Sequence, residues 1–316
     1  MKILNFTITL DTDGKRLDVF LSEVGLDLSK RKIKSIIDMG GAYVNQKRIR
    51  IASHVLRRGD KVRIQFSDEA LRKIKQAPPA LKDQDILYDS DHVIAINKPA
   101  GLPSQATMDQ ALVHVIPQLE AYLKARGDTR SPLVLVHRLD KETTGVILVA
   151  VGNEKATWLT KQFRERLVKK TYYAICHGLS KRDSFTETAP LSEIDRKTGN
   201  VRAVQSGGRP AVTHFKVLAV NKDLKISLLE CRPETGRSHQ IRVHLDINGL
   251  PIVGDKRYGG KNPRPLPDDL TALASHHHFL HAGALDFVPA PNKEAVRIEA
   301  PFPETFAQFL DKSSLS

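Results

Sequence analysis

A carboxylate lies among cations in the stretch LVLVHRLDKETTGVILVAV, residues 133–151. Leu133–Val136 and Val146–Val151 read as buried strands. A hairpin between them needs only a short polar turn. This connection instead carries His137, Arg138, Leu139, Asp140, Lys141, Glu142, two threonines and Gly145. Asp140 therefore falls on a loop between buried strands, a common place for function. It is equally placed to close an Asx-turn or to cap, with Thr143 three residues on. Spacing alone leaves both roles open.

A second basic cluster, RPETGRSHQIRVHL, follows at residues 232–245. Within it QIRVHL alternates Ile241, Val243 and Leu245 with Gln240, Arg242 and His244. That is the pattern of a strand with Arg242 turned away from its apolar face. An arginine facing a buried carboxylate holds it ionised and orients it.

Other chemistries fit less well. SHHHFLHAG supplies His276, His277, His278 and His281, and SHQIRVHL supplies His239 and His244. His277 and His281 are four apart, but no glutamate lies between them as in HExxH, and Phe279 and Leu280 suggest a strand. These histidines read as structural, and no metal is expected. A nucleophilic serine would need a GxSxG elbow, which is missing, and Cys176 and Cys231 sit in apolar runs as core residues do. GDKRYGGK has neither Walker nor dinucleotide spacing.

The elements around these residues form two parts. With 316 residues and 41% apolar content, the chain suggests two domains and a sizeable core. The formal charge of +13 points to a polyanion, most often nucleic acid. The charge is concentrated: residues 29–63 hold eleven basic side chains against two acidic ones, a net of +9. There Leu17, Phe20, Leu21 and Val24 recur at helical spacing and Gly25 closes the helix. Ser29 caps a second helix whose Ile33, Ile36 and Ile37 face inward, with Lys30, Arg31 and Lys34 outward, until Gly40 and Gly41. AYVNQKRI and KVRIQF then read as two short strands, with RRGD turning into the second.

Residues 68–84, broken by Pro78 and Pro79, read as a linker. Beyond them strands dominate, with a helix expected near 153–167 on Ala156, Leu159, Thr160, Phe163 and Leu167, and a proline-rich loop at 261–269. The class is α+β. The two cysteines form no CxxC pair, so neither a zinc ribbon nor a disulfide framework is expected. No signal peptide and no run approaching a membrane span is read, which makes the cytoplasm the expected location.

The first part, over residues 14–66, resembles the S4 RNA-binding domain through RLDVFLSEVGLDLSKRKIKSIIDMGGAYVNQKRI and RRGDKVRI. The second, over 85–303, resembles the RluA family of RNA pseudouridine synthases. HRLDKETTG looks like that family's signature. Around it, in the family's order, stand INKPAGLPS, VKKTYYAICHG, TGRSHQIRVHL, GLPIVGDKRYGG and FLHAGALDFVPAP. Ser104 and Gln105 stand where the family often has a Val-His pair.

The resemblance implies an S4-like domain at 1–67, a linker at 68–84 and a mixed-sheet synthase domain at 85–316. Asp140 takes the catalytic aspartate position. Tyr172, with Tyr173 beside it, matches the tyrosine that stacks on the target base. Arg242 matches the arginine paired with the aspartate. Arg138 matches the arginine that enters the space left by a flipped nucleotide. Lys30, Arg31, Lys34, Lys47 and Arg48 would contact RNA. Isomerising uridine involves no redox change, so no cofactor or metal is expected. The expected partner is RNA, with large-subunit ribosomal RNA ahead of transfer RNA, no membrane partner, and a monomeric state. The alternative class is an inactive RNA-binding assembly factor.

Overall fold

A computed structural model describes residues 2–26, 28–38, 40–49, 51–66, 80–106, 113–195, 198–259, 265–275 and 277–315, with the side chains of Arg31, Lys34, Ser35 and Asp38 outside that description. Most of the expected linker, half of the proline-rich loop and His276 therefore lie outside the described residues. The chain divides into two compact units, one of Met1–Ala80 with Gln105–Ala121, the other of Leu81–Ser104 with Tyr122–Ser316.

In the first unit, helices α1 (Leu17–Glu23) and α2 (Lys30–Asp38) accompany a sheet of β1 (Lys2–Thr7), β2 (Ala42–Val44), β3 (Lys47–Ile49) and β4 (Lys61–Phe66), in the order β1-β4-β2-β3. Leu17, Phe20 and Leu21 from α1 join Ile33, Ile36 and Ile37 from α2 in one core with Ala42, Val62 and Ile64. Ser29 begins α2 as its spacing implied, its carbonyl accepting the Ile33 N–H at 3.0 Å. Gly41 is required by crowding: a Cβ there would lie 2.5 Å from the Gln65 carbonyl oxygen.

AYVNQKRI is not one strand but a hairpin. Asn45 and Gln46 both adopt positive φ, 50° and 67°, which gives a two-residue turn of the twist that paired strands favour. The Asn45 amide fixes this turn by donating to Asp60 at 2.7 Å and accepting the Lys61 N–H at 2.9 Å.

The second unit is built on a ten-stranded mixed sheet. Its path runs β10 (Ser184–Glu187), β11 (Thr213–Asn221), β12 (Ile226–Pro233), β9 (Lys169–His177), β13 (Leu280–Phe287), β8 (Thr144–Val151), β6 (Val93–Lys98), β5 (Ile86–Asp89). Strand β7 (Leu133–Leu135) pairs with β8, and β14 (Val296–Glu299) with β13. The described helices after α2 are α3 (Val115–Ala125), α4 (Asn153–Arg164), α5 (Gln240–Ile247), α6 (Asp268–Ala274) and α7 (Glu304–Lys312). None of the helices among the described residues is long and apolar enough to cross a membrane.

Two expectations are corrected here. The helix near 153 ends at Arg164, and Thr160 and Leu167 are exposed rather than on its packed face. Trp158 and Gln162 hold that face instead, both donating to the Val288 carbonyl. QIRVHL, expected as a strand, is helix α5. Its alternation misleads because all six residues are buried. Ile241 and Leu245, four apart, enter the main core, while Val243 enters a separate cluster with Leu191, Val201 and Tyr258. Gln240 is buried because both ends of its amide are bonded, to Thr235 and Arg237 on one side and to Val212 and Thr213 on the other. A helix enclosed on several sides shows no single apolar stripe.

Candidate active site

The loop between β7 and β8 is held at every second residue. His137 accepts the Leu148 N–H at 2.9 Å through Nε2 and stacks on Phe163. Burial pushes its pKa down to about 3, so the ring is neutral and free to accept. The buried Ser104 hydroxyl accepts the Leu139 N–H at 2.9 Å and donates to the Leu139 carbonyl at 2.7 Å. The Lys141 carbonyl takes the Gly101 N–H and the Lys98 ammonium, each at 3.0 Å. Thr143 bonds His278 at 2.9 Å and Thr144 bonds His281 at 2.8 Å. Between these anchors Arg138 and Asp140 line a cavity of about 480 Å³.

Lys98 is fully buried and also donates to the carbonyls of Pro99 and Leu102. Burial lowers its pKa to about 7, while three carbonyl acceptors for three ammonium protons favour the charged form. Gly145 ends the loop against β13, with φ of 107° and a Cβ position 2.1 Å from the Ala282 oxygen. No side chain fits there.

Asp140 does not use its carboxylate in a turn; the backbone Thr143 N–H closes on the Asp140 carbonyl at 3.1 Å. Its Oδ2 accepts from Arg242 Nη1 at 2.7 Å. The other edge of the same guanidinium meets Asp255, Nε to Oδ2 at 2.7 Å and Nη2 to Oδ1 at 2.9 Å. Asp255 Oδ1 also accepts the N–H groups of Arg257 and Tyr258. A helix residue thus spans two carboxylates, one side chain 1% exposed and the other 28%.

Burial acts to raise the Asp140 pKa, and the His239 imidazole and Arg242 guanidinium outweigh it, holding the carboxyl below its ordinary value. Burial lowers the His239 pKa, so near neutral pH Arg242 carries that effect. Asp255 falls to about 2, because bonds from Arg242 overcome its burial.

Strand register brings Tyr172 of β9 beside Ala282 of β13, which pairs in turn with Gly145 at the loop's end. Tyr172 lines the cavity with Asp140, while Tyr173, on the opposite face, packs against Phe302. Burial, and then the Asp140 charge, raise the Tyr172 phenol pKa. Arg138 is exposed and donates to the Ser238 hydroxyl at 3.0 Å. Arg166, Lys170 and Arg237 add positive charge around the same cavity.

So Arg138 and Asp140 of one loop, Tyr172 and Arg242, from three separate stretches of the sequence, share one cavity. In the other unit Lys30, Lys47 and Arg48 are exposed, Arg48 donating to the Tyr43 hydroxyl at 2.8 Å; the side chains of Arg31 and Lys34 lie outside the described residues. His244 and His281 bond threonines and backbone carbonyls, and His278 bonds Thr143. Among the described residues no three metal-binding side chains cluster. Sequence reasoning missed Asp255, Lys98, Ser104 and His239 as site residues. Asp255 and Lys98 stood within quoted motifs, but only their burial reveals what they hold.

The RNA pseudouridylate synthase family matches residues 92–246, and the S4 domain matches 15–62. The chain is 37% identical to ribosomal large subunit pseudouridine synthase C of Escherichia coli K12, over 96% of this chain and 95% of that one. It is 32% identical to an uncharacterised RNA pseudouridine synthase of Bacillus subtilis, over 98% of both. The solved structure of human RNA pseudouridylate synthase domain containing 4 superimposes with a TM-score of 0.60 at 28% identity, covering 78% of this chain and 97% of that one. The fold, the ordered motifs and these relatives agree: the chain belongs to the RluA family of RNA pseudouridine synthases, isomerases of uridine in RNA, and carries an S4 domain at its N-terminus.

Proposed function

We propose that Asp140 is the catalytic group, and that the enzyme isomerises uridines of large-subunit ribosomal RNA without a cofactor or metal. The observation that carries this is the Arg242 guanidinium, bonded to Asp140 at 2.7 Å and backed by buried Asp255, at the wall of a cavity that also holds Tyr172. The reaction breaks the N1–C1′ bond, turns the base and joins C5 to C1′; the proton lost from C5 is balanced by one gained at N1. Ionised Asp140 acts either as nucleophile or as the base that removes a sugar proton. Arg242 keeps it ionised despite burial.

The target base must leave its stack, at a cost of roughly a few kcal/mol. Stacking on Tyr172 returns about 1–3 kcal/mol of that, and Arg138 fills the vacated position. Tyr172→Phe keeps the stacking face and should bind RNA nearly as wild type, with Tyr172→Ala about tenfold or more weaker. Equal losses in a titration of both variants would assign the role to the hydroxyl.

Residues 1–67 serve as an anchor on structured RNA, and residues 85–316 carry the chemistry. Lys30, Arg31, Lys34, Lys47 and Arg48 contact phosphates. Replacing exposed Lys30 and Lys47 together by alanine removes two such contacts. The slope of log affinity against log salt should then fall by about 1.4–1.8, and an unchanged slope would leave these lysines as solvated surface.

The ribosomal substrate rests on the Escherichia coli relative, a ribosomal large subunit pseudouridine synthase. Carbodiimide mapping of pseudouridine in RNA from cells lacking this protein tests it. Loss of sites in large-subunit ribosomal RNA is expected; loss confined to transfer RNA would redirect the assignment, and no loss would overturn it.

A further inference from the structure

His239, at the mouth of the site, has a forced backbone. It adopts φ 55° and ψ 17°, left-handed values that cost a non-glycine residue energy, immediately before α5. The strain places its imidazole at the wall of the Asp140 cavity and also of a second one of about 650 Å³, which Asp140, Arg242 and Arg257 line as well.

Its tautomer follows from its neighbours. The Tyr258 hydroxyl accepts the Val201 N–H at 2.8 Å and lies 2.8 Å from His239 Nδ1. With that acceptor position filled, the phenol satisfies its own proton by donating to Nδ1. Nδ1 is then an acceptor, and Nε2 carries the hydrogen. Nε2 makes no hydrogen bond among the described residues and lies 3.9 Å from Asp140 Oδ2. That is too long for a direct hydrogen bond.

It is short enough for one atom to bond both. Such an atom must accept from an imidazole N–H and donate to a carboxylate. A uracil carbonyl can only accept. A hydroxyl does both, and the hydroxyl that distinguishes RNA from DNA is the ribose 2′-OH.

We propose that His239 Nε2–H and the Asp140 carboxylate together grip the 2′-hydroxyl of the target nucleotide, so that His239 is a substrate-contacting residue that selects ribose. The proposal rests on Asp140 being the catalytic carboxylate. Arg242 already occupies one direction at Oδ2, and the grip leaves Oδ1 unencumbered for chemistry.

The test compares two RNAs identical except for 2′-OH or 2′-H at the target uridine, their affinities read by competition at a pH where His239 is neutral. Wild type should favour the ribose form about tenfold, the scale of one hydrogen bond. His239→Asn tolerates the left-handed backbone but lacks a donor at the Nε2 position, and its preference should shrink to about twofold. His239→Gln restores a donor near that position and should recover most of the preference. Tyr258→Phe releases the tautomer and should weaken the preference while His239 remains. It serves as the deciding variant if His239→Asn does not fold.

A preference unchanged in folded His239→Asn, or in Tyr258→Phe when that variant decides, overturns the proposal. So does wild type binding both RNAs equally. Parallel assays of wild type and Asp140→Asn on unmodified RNA separate the two readings. An active wild type with an inactive Asp140→Asn leaves only the His239 assignment at stake. An active Asp140→Asn removes the foundation of both.

Discussion

Asp140→Asn loses isomerisation by more than about 10³-fold, as expected when one member of a catalytic unit is removed, while folding and RNA affinity change little. The amide matches the carboxylate in shape and keeps a carbonyl oxygen for the Arg242 Nη1–H, which wild-type Oδ2 accepts at 2.7 Å. Arg242 also keeps its two bonds to Asp255, so no buried cation is stranded. The loop keeps its anchors, because Ser104, Lys98 and His278 bond residues other than Asp140. What disappears is a charged oxygen able to attack or to take a proton. Nucleoside analysis after a single-turnover incubation, beside a binding titration and a melting curve, separates these effects. A folded variant that still forms pseudouridine at more than about a few per cent of the wild-type rate would remove Asp140 from the catalytic role.

The loop carrying Asp140 was legible because its composition is wasteful for a hairpin: charged residues stood where a short turn would serve. The basic helix α2 was legible because Ile33, Ile36 and Ile37 fall on one side of a nine-residue helix. Local periodicity carries that kind of information. It failed at α5, where the environment is apolar on two sides and polar on a third. Arg242 is buried there between two carboxylates, with its guanidinium 4.9 Å from the centroid of the Tyr258 ring.

Asp255 was hidden for a related reason. In sequence it is one acidic residue in GDKRYGG; its meaning lies in a partner thirteen positions earlier and a third group 102 positions before that partner. Lys98 is the same case, since a lysine next to proline gives no sign that its ammonium will be enclosed by three carbonyls. The hairpin at Asn45–Gln46 was missed because its turn lacks glycine. Asn45 supplies through side-chain bonds to Asp60 and Lys61 what a glycine would supply through freedom.

Arg242→Met should strongly destabilise the second unit, and it should invert the site's response to acid. In wild type the Asp255 carboxyl sits at about 2 and Asp140 below its ordinary value, so both are depressed on folding. Depressed carboxyls contribute stability that is fully present above the unfolded carboxylate range, near pH 4, and lost as pH falls through the folded values. Without the guanidinium, burial dominates and raises both groups. A raised carboxyl penalises the folded state at neutral pH, and the penalty shrinks as acid protonates it. Wild type should therefore lose stability on acidification from about pH 4, while Arg242→Met gains stability between about pH 7 and 4. At neutral pH, stranding a buried charge costs about 3–5 kcal/mol, a drop in melting temperature on the order of 10 °C. Arg242→Lys restores one charge but lacks the two edges needed to hold both carboxylates. It should recover part of the stability and little of the activity, remaining about 10²-fold or more below wild type because Asp140 is no longer fixed. Thermal melts from about pH 2 to 8 read the first claim, and turnover of Arg242→Lys reads the second. Parallel pH–stability curves for wild type and Arg242→Met would mean that the guanidinium does not set the charge of these carboxylates.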